Sequence, residues 1–151
     1  MNYFKKTSQL LSRHGKLIIT PYWFIRDLPP FPLDGELWMG RGTFEKLMIL
    51  LNSKDSNNDH WFNVGYYIFD LPASKDPYEI RMGQMQQLQL FSNHVQIVCG
   101  TKCCGNEHLQ SFLSSIIEQG GEGLMVQNGQ SLYSPNEITS LLLKIKVFIK
   151  S

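Results

Sequence analysis

Trp61 to Leu71 reads WFNVGYYIFDL, and this run limits the architecture more than any other stretch of the chain. It is rich in aromatic and β-branched residues, the types that fill a pleated surface. It therefore predicts a buried strand, which needs neighbours at its edges and apolar cover on its face. Leu10-Leu11, Ser12-Arg13-His14-Gly15 and Lys16 to Thr20 predict a hairpin of two short strands around a glycine turn. Leu33 to Trp38, Val95 to Cys99, Glu122 to Val126 and Leu141 to Phe148 predict further short strands. The glycine inside the Leu33 to Trp38 strand suggests close approach by a ligand or a neighbour. Helices are predicted over Thr43 to Leu51, with Thr43 as cap, and over Pro77 to Leu90, with Gln and Met on its surface. The clearest helix is Glu107 to Gln119, where Leu109, Phe112, Leu113, Ile116 and Ile117 recur at helical spacing. Asn106 caps it and Gly120 stops it. Pro21 to Pro32 holds four prolines and reads as an extended loop, Lys54 to His60 as a polar loop, and Asn128-Gly129 as a hairpin turn. The expected fold class is α+β, with short antiparallel strands and helices packed on them.

A chain of 151 residues can bury one real core. Its formal net charge of +1 gives no strong global field for nucleic acid. Cys99, Cys103 and Cys104 are too few and too clustered for a disulfide framework, so an intracellular, reducing compartment is expected, whether bacterial cytoplasm or eukaryotic nucleus. His94, Cys99, Cys103 and His108 approach a zinc ligand set but lack its paired spacing, so zinc is not expected. No signal peptide and no membrane-spanning run of apolar residues is expected. Trp23, Trp38 and Trp61 are expected in the core.

Three segments each place charge in or beside a strongly apolar strand: Leu33 to Trp38 (LDGELW), Glu122 to Val126 (EGLMV) and Leu142 to Lys146 (LLKIK). Burying an unpaired charge costs several kcal/mol, so such residues usually have a partner or a ligand. Glu36 and Glu122 offer oxygen donors for Mg²⁺ or for sugar hydroxyls. Lys144 and Lys146 lie two apart on a strand and share a face, which suits a phosphate. Together they describe a nucleotide phosphate and its metal. Taken singly, each segment reads first as a turn acid or a solvated edge strand, since edge strands often carry Lys.

The three segments, in this order, resemble motifs III, IV and V of the covalent nucleotidyltransferases: DNA ligases, RNA ligases and mRNA capping enzymes. Ser12-Arg13-His14-Gly15 resembles motif Ia, and Tyr66 to Pro72 (YYIFDLP) resembles motif IIIa. The wording of LDGELWMGRGTF, of FDLP and of Gly120-Gly121-Glu122-Gly123 is similar to the small bacterial-type ATP-dependent DNA ligases. The resemblance implies an ATP-grasp-like adenylation domain that uses ATP and Mg²⁺ and serves DNA replication, repair or recombination by sealing nicked duplex DNA. It implies that Arg13 contacts the ribose or phosphates and that Glu36 binds the ribose or assists the metal. It implies that Phe69 stacks on adenine, Glu122 holds the metal, and Lys144 and Lys146 neutralise the α-phosphate.

The family's nucleophile is the lysine of K-x-D-G, about fifteen residues ahead of the motif Ia arginine. From Arg13 that position falls before Met1. Lys5 and Lys6 are followed by Thr7-Ser8 and lie too close. An arginine expected soon after Tyr133 is replaced by Glu137. The oligonucleotide-binding barrel that normally follows motif V is expected to be absent. The sequence thus reads as a partial adenylation domain over residues 1–151, a monomer that does not seal nicks alone. A non-catalytic ATP-binding remnant or interaction protein, and an RNA ligase relative, are the alternatives.

Overall fold

The computed structural model describes residues 2–5, 9–135 and 142–146. The WFNVGYYIFDL run divides. Asp59–Asn63 is a turn of 3-10 helix, started by the Asn58 side chain accepting from the His60 N–H, and it drops Trp61 into the core. Strand β5 follows over Gly65–Asp70. Its side chains alternate: Tyr66 and Ile68 are wholly buried, while Tyr67 and Phe69 are half-buried on the other face.

The partners of β5 form a six-stranded sheet in the order β3-β2-β1-β4-β5-β6. These strands are β1 (Asn2–Lys5), β2 (Leu10–Ser12), β3 (Leu17–Ile18), β4 (Leu33–Trp38) and β6 (Val95–Ile97). The hairpin expected around Gly15 is present as β2–β3, with Leu10 opposite Ile18. β1 fills the sheet between β2 and β4. The expectation of antiparallel strands fails at one edge, where β6 runs parallel to β5. The reason is the connection: helix α3 (Tyr78–Gln86) lies between them and carries the chain back along the sheet. A second, two-stranded antiparallel sheet joins β7 (Gly123–Gln127) to β8 (Leu142–Lys146). Residues 141, 147 and 148 of the expected last strand lie outside the described residues.

The core gathers Leu10, Leu33, Leu37, Tyr66 and Ile68 from the large sheet against Phe24, Leu47, Leu50, Trp61 and Met85. The proline-rich stretch is not all loop. Tyr22–Arg26 forms the short helix α1, because Pro21 precedes it with the fixed φ that suits a helix start, and Phe24 is buried as a result. Helix α2 is Phe44–Ser53; Thr43 does not cap it by side chain but donates its hydroxyl to the Gly40 carbonyl at 2.7 Å. Helix α4 is Asn106–Glu118, with Gly105 rather than Asn106 in the capping position. Asn128 begins a turn that Ser131 closes, but β7 pairs with the distant β8 and not with the next few residues.

Helix α3 does more than cover the sheet. Arg81, wholly buried, donates from Nε and Nη2 to the two carboxylate oxygens of Asp70, at 2.6 and 3.0 Å. Its Nη1 donates to the carbonyls of Asp76 (2.7 Å) and Ser131 (2.9 Å). The first turn of α3 is held from the same side: Tyr78 N–H donates to Ser131 O and Glu79 N–H to Gly129 O, both at 2.9 Å. The loop after β7 thus satisfies donors that a helix N-terminus leaves open. Gln86, Gln87 and Gln89 are exposed as expected, but Met85 turns inward, together with Arg81.

Removing one member of a buried, hydrogen-bonded ion pair leaves the other charge unpaired, at a cost of about 3–5 kcal/mol. Arg81→Ala is therefore expected to lower the midpoint of thermal unfolding by more than about 10 °C, or to prevent folding. A shift below about 3 °C would show that this clasp carries little of the fold.

Candidate functional site

Strand β4 brings the first acid into place. Leu33, Gly35 and Leu37 turn into the core, while Glu36 and Trp38 are exposed on the opposite face. Glu36 pairs with Tyr67 across the strands, and Phe69 lies two residues further along β5 on that same face. Trp38 is not a core residue: it is 43% exposed and meets the Tyr67 ring edge-on at 5.3 Å. Trp61 is buried and Trp23 is partly buried against the core. The glycine between the acids of β4 is required by a neighbour. A Cβ on Gly35 would lie 2.6 Å from the Tyr67 carbonyl oxygen and 2.8 Å from the Tyr66 ring. Phe69, half-buried and facing away from Tyr66 and Ile68, is an aromatic ring on a partly open face.

Arg13 is exposed in the β2–β3 turn, one residue beyond Ser12, which pairs with Tyr3 of β1; Tyr3 in turn pairs with Gly35. The register thus sets Arg13 near the level of Glu36, with β1 between them.

The second group sits on the small sheet. Lys144 is opposite Met125 and Lys146 opposite Gly123, so the two lysines share a face as expected. Lys146 Nζ lies 3.2 Å from Glu122 Oε2, a largely exposed pair. Gly123 lets the two strands meet: a Cβ there would be 2.0 Å from the Ile145 carbonyl oxygen.

Other residues, which motif reading did not single out, tie the two groups together. The Tyr133 hydroxyl donates to Asp34 Oδ2 at 2.9 Å, reaching from the segment after β7 to the start of β4. The Arg81 guanidinium lies 5.9 Å from the Tyr133 ring centre. Burial raises Asp34 to about 6 despite the Tyr133 hydrogen bond, which works the other way. Burial and the neighbouring Asp34 raise the Tyr133 hydroxyl, which keeps it a donor. One signal for these residues was present in the sequence: Asp34 and Asp70 both interrupt apolar strands, as Glu36 does.

Mg²⁺ commonly takes one or two carboxylates together with substrate phosphates. Glu36 and Glu122 supply donors of that kind, and among the described residues no group of three or more His, Cys, Asp or Glu is placed to hold a metal by itself. Cys99, Cys103 and Cys104 are exposed free thiols. No described helix is long and apolar enough to cross a membrane. Lys6 and Glu137 lie outside the described residues.

An open sheet face with an acid and an aromatic ring, joined to a small sheet with paired lysines, is the arrangement of a nucleotidyltransferase fold. Residues 6–146 match the ATP dependent DNA ligase domain family, and the chain belongs to that family. A DNA ligase of Haemophilus influenzae is 31% identical over 140 residues, 91% of this chain and 51% of that protein. A solved structure from a structure-function study of Lig E DNA ligases superimposes with a TM-score of 0.89 at 25% identity, over 97% of this chain and 58% of that one. The Chlorella virus DNA ligase-adenylate superimposes with a TM-score of 0.81 at 23% identity, over 97% and 57%. The chain spans about half the length of the curated relative it matches.

The raised Asp34 carboxyl has a consequence for stability. Its value is 3.8 when unperturbed and about 6 in the fold, so the folded state holds the proton more tightly than the unfolded state. Stability from this group is present at low pH and is lost as pH rises between those values. Asp34→Asn keeps an acceptor for Tyr133 and removes the buried charge, a gain of at most about 3 kcal/mol. The mutant's unfolding midpoint is expected to rise relative to the parent by several degrees more at pH 7.5 than at pH 4.5. An equal difference at both pH values would contradict a buried, raised Asp34.

Proposed function

We propose that this chain forms the ATP-binding part of a DNA ligase adenylation domain, in which AMP is transferred to the 5′-phosphate of nicked duplex DNA by the complete enzyme. The observation that carries this reading is Glu36 and Phe69 on one partly open face of β4 and β5, within a chain that matches the ligase family almost end to end. Phe69 offers a ring for the adenine to stack on, and Glu36 an acceptor for a ribose hydroxyl. Arg13 contacts the ribose or phosphates from the β2–β3 turn. Lys144 and Lys146 balance charge at the α-phosphate, where it builds up as pyrophosphate departs. Glu122 is the carboxylate nearest those lysines along β7–β8 and is the residue assigned to Mg²⁺, with Glu36 as the second donor. The metal's contribution when bound is to neutralise phosphate charge.

K-x-D-G occurs nowhere in the 151 residues. The chain is thus proposed to bind ATP without forming a covalent lysyl-AMP. RNA ligase relatives share the first-step chemistry; the DNA reading is favoured by the relatives that match.

Two substitutions separate the base from the phosphates. Phe69→Ala is expected to weaken ATP and adenosine alike, by about tenfold, because base stacking on an aromatic ring contributes about 1–3 kcal/mol. Lys144→Ala is expected to weaken ATP by about tenfold and leave adenosine unchanged, since only the phosphates need the ammonium. Calorimetric titration of both ligands reads this directly, and a Lys144→Ala protein that loses adenosine as well contradicts the assignment. Intact mass after incubation with ATP and Mg²⁺ is expected to be unchanged; a gain of one AMP would mean that another lysine acts as nucleophile.

A further inference from the structure

We propose that Arg41 is a phosphate-contacting residue of this site, held by the β4–α2 loop against the turn that leads into Glu122. The proposal deepens the nucleotide-pocket reading and rests on it.

Arg41 lies between two glycines with left-handed backbone, Gly40 (φ 113°) and Gly42 (φ 69°), a conformation that residues with a side chain rarely adopt. The Thr43 hydroxyl braces the same loop by donating to Gly40 O at 2.7 Å. So shaped, the loop lays the arginine stem along Gly120 and Gly121. A Cβ on Gly120 would sit 3.6 Å from Arg41 Cδ, and one on Gly121 would sit 3.0 Å from Arg41 Nη1. Gly121 has no room for a side chain in any case, since its Cβ would lie 2.4 Å from the Ile116 side chain. Two glycines on each side of the junction therefore bring a guanidinium to the residue before Glu122.

Closure of the helix end does not account for this placement. At the end of α4, Ile116 O and Ile117 O already accept from the N–H groups of Gly121 and Gly120, both at 2.8 Å, so they have partners without Arg41. Nor does an ion pair account for it. The adjacent carboxylate, Glu122, is bonded to Lys146, and no carboxylate among the described residues lies within ion-pair distance of Arg41. What remains is an exposed, positioned guanidinium at Gly121, the residue before the carboxylate that pairs with Lys146. A guanidinium presents a planar fork of donors that matches two phosphate oxygens at once. The phosphate could belong to the bound nucleotide or to the DNA backbone.

Arg41→Gln keeps the stem and removes the charge, and Arg41→Lys keeps the charge and removes the fork. Both are compared with the parent chain for binding of ATP, adenosine and a nicked DNA duplex across a salt series, with the unfolding midpoint measured alongside. A loss of ATP affinity of about tenfold in Arg41→Gln, with adenosine and the midpoint unchanged and part of the loss restored in Arg41→Lys, assigns the contact to the nucleotide. Unchanged ATP with weaker duplex binding, and a salt dependence shallower by about one counterion, assigns it to DNA. Parent-like binding of every ligand by Arg41→Gln overturns the proposal and leaves the pocket reading standing. Equal loss of ATP and adenosine in step with a fall in the midpoint overturns it in favour of a structural strut. A parent chain that binds neither ATP nor duplex overturns both readings.

Discussion

The ion pair of Arg81 with Asp70 fixes how the two sheets of this protein meet. A guanidinium with no exposure to solvent must have its donors satisfied inside the fold, and Arg81 uses three of its nitrogens to do so. Two reach the carboxylate at the end of β5 and the third reaches the carbonyls of Asp76 and Ser131. Ser131 belongs to the loop that follows β7, so one side chain on α3 links the large sheet to the small one. Buried ion pairs often add little net stability, because desolvation offsets attraction. Their geometric demand is strict all the same: the loop has one place to go.

From that placement the site follows. With residues 128–131 held on α3, Tyr133 reaches Asp34, two residues before Glu36. On the other side Arg41 leans on Gly120-Gly121, just before Glu122. Of the residues proposed for the nucleotide and its metal, Glu36 stands on β4, Phe69 on β5 and Arg13 in the β2–β3 turn, while Lys144 and Lys146 stand on β8 and Glu122 just before β7. The contacts of Arg81, Tyr133 and Arg41 link the segments that carry the two groups of candidate residues.

How much of this the sequence discloses depends on the range of the interaction. The β2–β3 hairpin, α2 and α4 are encoded locally, by a glycine turn and by helical spacing of apolar residues, and they were legible. So were the charged residues in β4 and β8 and the Glu122 beside β7, since a charge in or beside an apolar strand stands out without any knowledge of its partner. Arg81 was not legible: in RMGQMQQ it looks like one more polar residue on a solvated helix, and what buries it is Asp70, eleven residues earlier, together with a carbonyl fifty residues later. The parallel edge strand β6 depends on a crossover that periodicity does not encode. Trp38 misled for a related reason, because apolar character alone does not say which face of a half-open sheet a residue takes.

In the proposed function both sheets contribute to a single nucleotide site. Titration of the isotope-labelled chain with ATP, followed residue by residue through its backbone amide NMR signals, tests it most directly. Glu36 and Phe69 on the large sheet and Lys144 and Lys146 on the small sheet are expected to shift together, along curves that share one dissociation constant. Shifts confined to one sheet, or two sheets reporting different constants, would contradict it.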